Sequence, residues 1–286
     1  MPIALRKKIM SNTRDLLAGE SIQLRQGALL QVCYTPGKAP PLVFVHGGLG
    51  NRYNWRSQYE FAVAQGWEAI AYDLAGNGQS ESYSRYSIGR HCRDLSRLLD
   101  RLHIHHPPVL CCHSYGVPIG LEWAKRHPVS GLILICGGTH NLDPWWEVPL
   151  IKFLTWGGRH FYRLPFVKTF TDQISSNHSH EVIQQFFAES PIPVEVHPYQ
   201  ALESFWGYNF FDRRFSTKYL DIPILVITGG KDTLFTYKMG EDLANHFHHS
   251  QHLHMPHAGH LVIAEFPEIV NRAIAKWIRE AISEAD

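Results

Sequence analysis

The stretch LCCHSYGVP, residues 110–118, sets a serine between a histidine and a tyrosine, directly after an apolar run and directly before residues that suit a helix. A serine at the end of a buried strand, with a helix starting one residue later, lies in a tight turn that pushes its hydroxyl out of the sheet toward the helix amino terminus. Ser114 therefore stands where a nucleophile would stand, and equally where a serine caps a helix. Its surroundings have to decide between the two.

Outward from that turn, short apolar runs alternate with segments of helical period, the pattern of a mostly parallel sheet covered by helices. SIQLRQGALLQVCYTPG reads as an entrance hairpin, PLVFVHGG as a buried strand ending in glycines, YNWRSQYEFAVAQG as a helix, and EAIAYDLAGNGQS as a strand running into a glycine-rich turn. SIGRHCRDLSRLLDRL is an amphipathic helix, PPVLCCHS a strand, YGVPIGLEWAKRH a helix that Pro118 should interrupt early, and SGLILICGG a further strand. Between residues 140 and 216 this rhythm stops. It resumes with DIPILVITGGKD as a strand, TYKMGEDLANHFHH as a helix, SQHLHMPHAGH as a short strand and loop, and PEIVNRAIAKWIREAI as a closing helix. The expected organisation is a core of residues 1–139 and 217–286, with residues 140–216 inserted after the sixth strand.

A serine nucleophile needs a base, and the base needs an orienting acid. Asp232 follows the strand PILVITGG, and HAGH follows the next strand-like run, so an acid and a base occur in that order after Ser114, with His260 or His257 as the base. The loop GGLGNRYNW after LVFVH carries three glycines, which let the main chain approach a ligand closely. Amides of Gly48 and Tyr115, with Leu49 as the alternative to Gly48, are the expected donors to charge developing on an acyl oxygen. Residues 112–116, CHSYG, keep only the second glycine of the nucleophile pattern GxSxG, so a slightly wider strand–helix crossing is expected at Cys112.

Five segments in one order, HGGLGN at 46–51, DLAGNGQS at 73–80, HSYG at 113–116, GGKD at 229–232 and AGH at 258–260, resemble the α/β-hydrolase-fold enzymes with a cap domain, over residues 21–282. The resemblance implies an α/β-hydrolase fold, with a mostly parallel central sheet flanked by helices and a helical cap, or lid, at 140–216. It also implies acyl transfer to water without a cofactor or metal: Ser114 as nucleophile, Asp232 as orienting acid, and His260 as base, since it directly follows Gly259 and precedes the closing helix as the family's base does. Family members that open epoxides or displace halide carry an aspartate at the turn, so Ser114 points to acyl chemistry. The expectation is a carboxylesterase-like enzyme acting on a small apolar ester. Thioester, lactone or carbon–carbon bond hydrolysis, and a non-catalytic ligand receptor or scaffold on the same fold, are the alternatives.

Composition narrows the partners. Lysine plus arginine, 27, nearly cancels aspartate plus glutamate, 26, for a formal charge of +1, so no broad field favours nucleic acid or an anionic membrane. No apolar run approaches the roughly 20 residues of a membrane helix, so no stable membrane anchor is expected. The five cysteines, an odd number lying in strand-like runs, read as reduced thiols in a cytoplasmic protein. A small, lipophilic molecule is the expected partner. Of the chain's 35 aromatic residues, 17 fall between 140 and 216, and Trp145, Trp146, Phe205 and Trp206 are candidates to line an apolar pocket over Ser114. Arg52, Arg159 and Arg163 are loose candidates for a basic group facing it. His113 is expected to be structural, Asp73 to form a turn, and the histidine-rich run from His246 to His260 to be a solvated surface without metal.

Overall fold

The computed structural model describes residues 15–48, 50–83, 86–137 and 220–282. These residues build one eight-stranded sheet from β1 (Glu20–Gln23), β2 (Leu29–Thr35), β3 (Lys38–Val45), β4 (Trp67–Tyr72), β5 (Val109–His113), β6 (Gly131–Ile135), β7 (Ile224–Gly229) and β8 (Ser250–Met255). Their order across the sheet is β1-β2-β4-β3-β5-β6-β7-β8. The entrance hairpin makes the antiparallel edge, β1 on β2 and β2 on β4, and every later pairing is parallel.

The strands form because they can be buried on both faces. In β5 and β6 every residue is buried, as the near-continuous apolar runs VLCCH and GLILI require. Successive residues feed opposite layers. Val43, Val45, Leu110, Cys112, Leu132 and Leu134 pack with α2 (Ile88–Arg101), α3 (Gly116–Ala124) and α4 (Tyr237–Asn245). Phe44, Val109, Cys111, Ile133 and Ile135 pack on the other side with Tyr59 of α1 (Arg56–Ala64) and with Val270, Ile274 and Trp277 of α6 (Pro267–Trp277). Adjacent Cys111 and Cys112 therefore point into different cores, and all five cysteines of the chain are buried free thiols.

Helix boundaries follow local chemistry. Ser87 caps α2 by accepting the Arg90 amide, and Thr236 caps α4 by accepting that of Met239. Pro118 does not interrupt α3: it is the third helical residue, where an amide has no partner within the helix. The helix predicted from YNWRSQYEFAVAQG begins as a 3-10 turn, Arg52–Trp55, capped by Asn51, before α1 takes over.

The chain runs from β3 outward to β4, then returns to β5 on β3's other side. At such a reversal the loops leaving two neighbouring parallel strands diverge and open a crevice at their carboxyl ends. Here those strands are β3 and β5, with Val45 opposite Cys112. The glycine loop and Ser114 leave the sheet side by side. The expected cap at 140–216 lies outside the described residues, in the connection between the adjacent parallel strands β6 and β7. Among the described residues no helix is long and apolar enough to cross a membrane.

Candidate active site

Ser114 ends β5 with φ +51°, a left-handed conformation that L side chains adopt only at a cost. Its amide is held by the Ile135 carbonyl at 2.9 Å, and its carbonyl accepts the Val117 amide at 3.0 Å, so the strained turn is fixed from strand and helix at once. The hydroxyl is aimed by backbone, and the N-cap residue of α3 is Tyr115, which makes no side-chain cap hydrogen bond.

Three strand ends meet there. Ser114 Oγ lies 3.0 Å from His260 Nε2, and His260 Nδ1 lies 2.8 Å from Asp232 Oδ2. A carboxylate can only accept, so Nδ1 carries the ring proton and Nε2 is left to accept from the serine hydroxyl. Asp232 follows β7; its Oδ1 accepts the amides of Leu234 at 2.8 Å and Phe235 at 2.9 Å. Burial alone would push its carboxyl upward, but the His260 hydrogen bond and charge, with those two amides, hold it below the ordinary carboxylate range. His257 is exposed, away from this chain of hydrogen bonds.

The imidazole of His260 packs against two rings. Phe235 stacks on it with ring centroids 5.9 Å apart, and His113 lies at 4.9 Å. His113 donates from Nε2 to the His260 carbonyl at 2.8 Å, and burial, with His260 beside it, pushes its ring down to about 3, so it stays neutral. It is a hydrogen-bonded support, as expected. His113, Cys136 and His260 bring potential metal-ligating atoms within 4.8 Å of one another, but His113 Nε2 and both His260 nitrogens already serve these protein hydrogen bonds.

Of the expected acyl-oxygen donors, Tyr115 stands at the amino terminus of α3 and Gly48 lies half-buried in the loop after β3, while Leu49 lies outside the described residues. The close approach itself falls at Gly47. A side chain there would come within 2.9 Å of His113 Nδ1 and 3.0 Å of Ser114 Cβ, so glycine is needed to lay this loop against the nucleophile turn. His46 sets the loop's course: its Nδ1 donates to the Gly47 carbonyl at 2.7 Å and its Nε2 accepts the Leu74 amide at 2.9 Å. His46 opens the HGGLGN segment, but the sequence alone assigns it no role in holding the loop.

The missing glycine of CHSYG is supplied from the partner element. A methyl group on Gly120 of α3 would overlap Cys112 Sγ, so the room for the thiol comes from the helix and no widening of the crossing has to be invoked. Gly120→Ala is expected to cost about 1–3 kcal/mol by overpacking. Cys112→Ala in the same chain should return most of that loss, and urea denaturation of the two single variants and the double variant would show the coupling.

Two expectations need correction. Arg52 cannot face a pocket: it is 1% exposed and ion-paired with the fully buried Asp73. Asp73 does form its turn, accepting the amides of Arg52 and Gln79. The histidine-rich run is only partly a solvated surface. His246, His248, His249 and His257 are exposed, but half-buried His252 and His254, two apart on β8 and so on one face, share the Thr228 hydroxyl at 2.9 and 3.1 Å. Arg159, Arg163, Trp145, Trp146, Phe205 and Trp206 lie outside the described residues.

A mostly parallel sheet whose strand ends present a serine at a strained turn, then a carboxylate, then a histidine, in that chain order, defines a class of α/β architecture. The family model for the alpha/beta hydrolase fold matches residues 40–267, and the chain belongs to that family. Over 120 residues it is 32% identical to a haloalkane dehalogenase of Sphingobium indicum, covering 40% of each protein. Over 105 residues it is 34% identical to Protein ABHD8 of Homo sapiens, covering 34% of this chain and 23% of that protein. The chain thus matches two fifths or less of the length of these curated relatives. Among solved structures, a thermophilic esterase from Thermogutta terrifontis is similar with a TM-score of 0.76 at 24% identity, covering 92% of this chain and 100% of that one.

Proposed function

We propose that this protein is a serine hydrolase of the carboxylesterase type, cleaving a small apolar ester through an acyl-enzyme. The observation that carries the proposal is the unbroken hydrogen-bonded chain from Asp232 through His260 to Ser114. In this mechanism His260 Nε2 takes the Ser114 proton as Oγ attacks the ester carbonyl carbon, and Asp232 stabilises the imidazolium. The oxyanion is met by backbone amides at Tyr115 and at Gly48 or Leu49. Collapse expels the alcohol with the proton from His260, and the same ring then activates water to cleave the acyl-enzyme.

The serine also separates this reading from the chemistry named for the dehalogenase relative. A carboxylate that displaces halide forms an ester, which water can cleave; a serine doing so would form an ether, which it cannot. The likeness to an esterase along the whole of that chain agrees with acyl transfer. The proposed substrate is lipophilic because the segment 140–216 holds 17 of the 35 aromatic residues. No cofactor, nucleic acid or membrane partner enters the mechanism.

Intact-mass spectrometry after treatment with a fluorophosphonate tests the nucleophile, and an ester chain-length series tests the pocket. A single adduct on the wild type, absent from Ser114→Ala, is the expected result, with a rate optimum at longer apolar acyl or alcohol chains. A folded wild-type protein that takes no adduct would overturn the catalytic reading in favour of a ligand-binding role. A preference for the shortest, most polar esters would overturn the lipophilic substrate alone.

A further inference from the structure

The base rests on a loop whose backbone is held at three polar groups of residues 259 and 260 by side chains from three different places in the fold. The Gly259 N–H donates to Glu265 Oε2 at 2.8 Å, from the end of the short helix α5 (Val262–Glu265). The Gly259 carbonyl faces Cys136 Sγ, just beyond β6, at 3.8 Å. The His260 carbonyl accepts from His113 Nε2, at the end of β5. His113 was expected to be structural; the other two residues correspond to nothing in the sequence motifs.

Resting on the assignment of His260 as the base, we propose that Cys136 and Glu265 are positioning residues that hold the carbonyl and the N–H of Gly259 and so fix the reach of His260 toward Ser114. Two independent features of the chain are arranged for this contact. Cys136 has φ +44°, a left-handed conformation costly for any residue with a side chain. Like Ser114 after the neighbouring strand, it is held there by a hydrogen bond across the sheet, its amide donating to the Ile227 carbonyl at 2.9 Å. The strain turns its thiol under the base loop, and strained backbone retained against its cost points to a function. Burial, with the Asp232 carboxylate beside it, pushes the thiol well above its ordinary range, so it stays an S–H, with the Asp232 carboxylate as well as the Gly259 carbonyl within its reach.

Glu265 packs closely at the Gly259 N–H. A side chain at residue 259 would come within 2.9 Å of Glu265 Oε1 and push that carboxylate aside. Neither residue hydrogen-bonds Ser114 or the His260 ring, so neither moves a proton. Their effect is on the 3.0 Å separation between His260 Nε2 and Ser114 Oγ, and displacements of about 1 Å in such pairs cost on the order of 10²-fold in rate.

The test compares Cys136→Gly, Cys136→Ser, Glu265→Ala and Glu265→Gln. Glycine accepts the left-handed backbone without strain and removes only the thiol; serine and glutamine keep a donor and an acceptor in place. Each variant is assayed well below its melting temperature, with circular dichroism matching the wild type, for fluorophosphonate labelling rate and for kcat and KM on an activated ester. Cys136→Gly and Glu265→Ala are expected to lose about tenfold in labelling rate and kcat with KM within about twofold, and Cys136→Ser and Glu265→Gln to recover to within about threefold of wild type. Lowered melting temperatures with kcat per labelled serine unchanged in both truncated variants would overturn the inference, leaving only packing. A wild-type protein that the probe does not label would instead overturn the function on which it rests.

Discussion

Ser114→Ala is expected to lower turnover of an activated ester by about 10⁴-fold or more, because nucleophile, base and acid act as a unit and the loss of one removes the covalent route. KM should change little, since the hydroxyl contributes to the transition state far more than to ground-state binding. The loss should not be a folding artefact. Ser114 is buried, and its left-handed backbone is held by Ile135 and Val117, contacts an alanine keeps. Alanine carries the same backbone strain as serine, so urea denaturation should place the variant within about 1 kcal/mol of wild type. Ser114→Gly, free of the strain, should be at least as stable and equally inactive. His260→Ala combined with Ser114→Ala should cost little more than Ser114→Ala alone, since groups of one catalytic unit are not additive. Wild-type turnover in purified Ser114→Ala would remove the serine from the mechanism.

The parts of this site that were legible in the sequence are those that punctuate it. Ser114 sits between an apolar run and a helix start, Asp232 and His260 close later strands, and glycines mark the close approaches, so strand ends alone set the order of chemical groups. The strand order, with β3 and β5 adjacent, is what turns these separate signals into one location. What the sequence hid are contacts that depend on the partner element. The compensation for Cys112 lies eight residues on, at Gly120, and is visible only when strand and helix are packed. Arg52 reads from sequence as a candidate basic group facing the pocket; its burial away from it depends on Asp73 arriving from the end of β4. Cys136 looked like a core thiol, and its burial agrees, but neither its left-handed φ nor the direction of its sulfur follows from residue type. Glu265 carried a weak signal, an acid one short helix after the base, that no periodicity argument weighs.

Asp73→Asn is expected to cost about 3–5 kcal/mol of stability, the range for removing one partner of a buried ion pair and leaving the other charge without its counter-ion. The carboxylate is used completely. Oδ1 accepts the Arg52 amide at 2.7 Å; Oδ2 accepts the Gln79 amide at 2.8 Å and the Arg52 guanidinium. Arginine extends the network, donating to the Leu17 carbonyl at 2.9 Å, the Ala18 carbonyl at 3.1 Å and Gln79 Oε1 at 2.7 Å. An asparagine amide would present a donor to donors at one of its two positions and cancel no charge. Arg52→Met should cost less, since Asp73 keeps both backbone amides, and the double variant should be less destabilised than Asp73→Asn, because no buried guanidinium is left without its counter-ion and only the mismatch with the two amides remains. The consequence reaches the active site through connectivity. Arg52 directly follows the loop laid against Ser114, and Leu74, next to Asp73, donates the amide that fixes His46 beneath that loop. Loss of Asp73 should therefore lower the labelling rate of Ser114 even under conditions where the variant is folded. Urea denaturation followed by circular dichroism gives the first quantity and fluorophosphonate labelling the second. An Asp73→Asn protein within 1 kcal/mol of wild type would show that the turn holds without its charge, and would leave the glycine loop to be positioned by His46 alone.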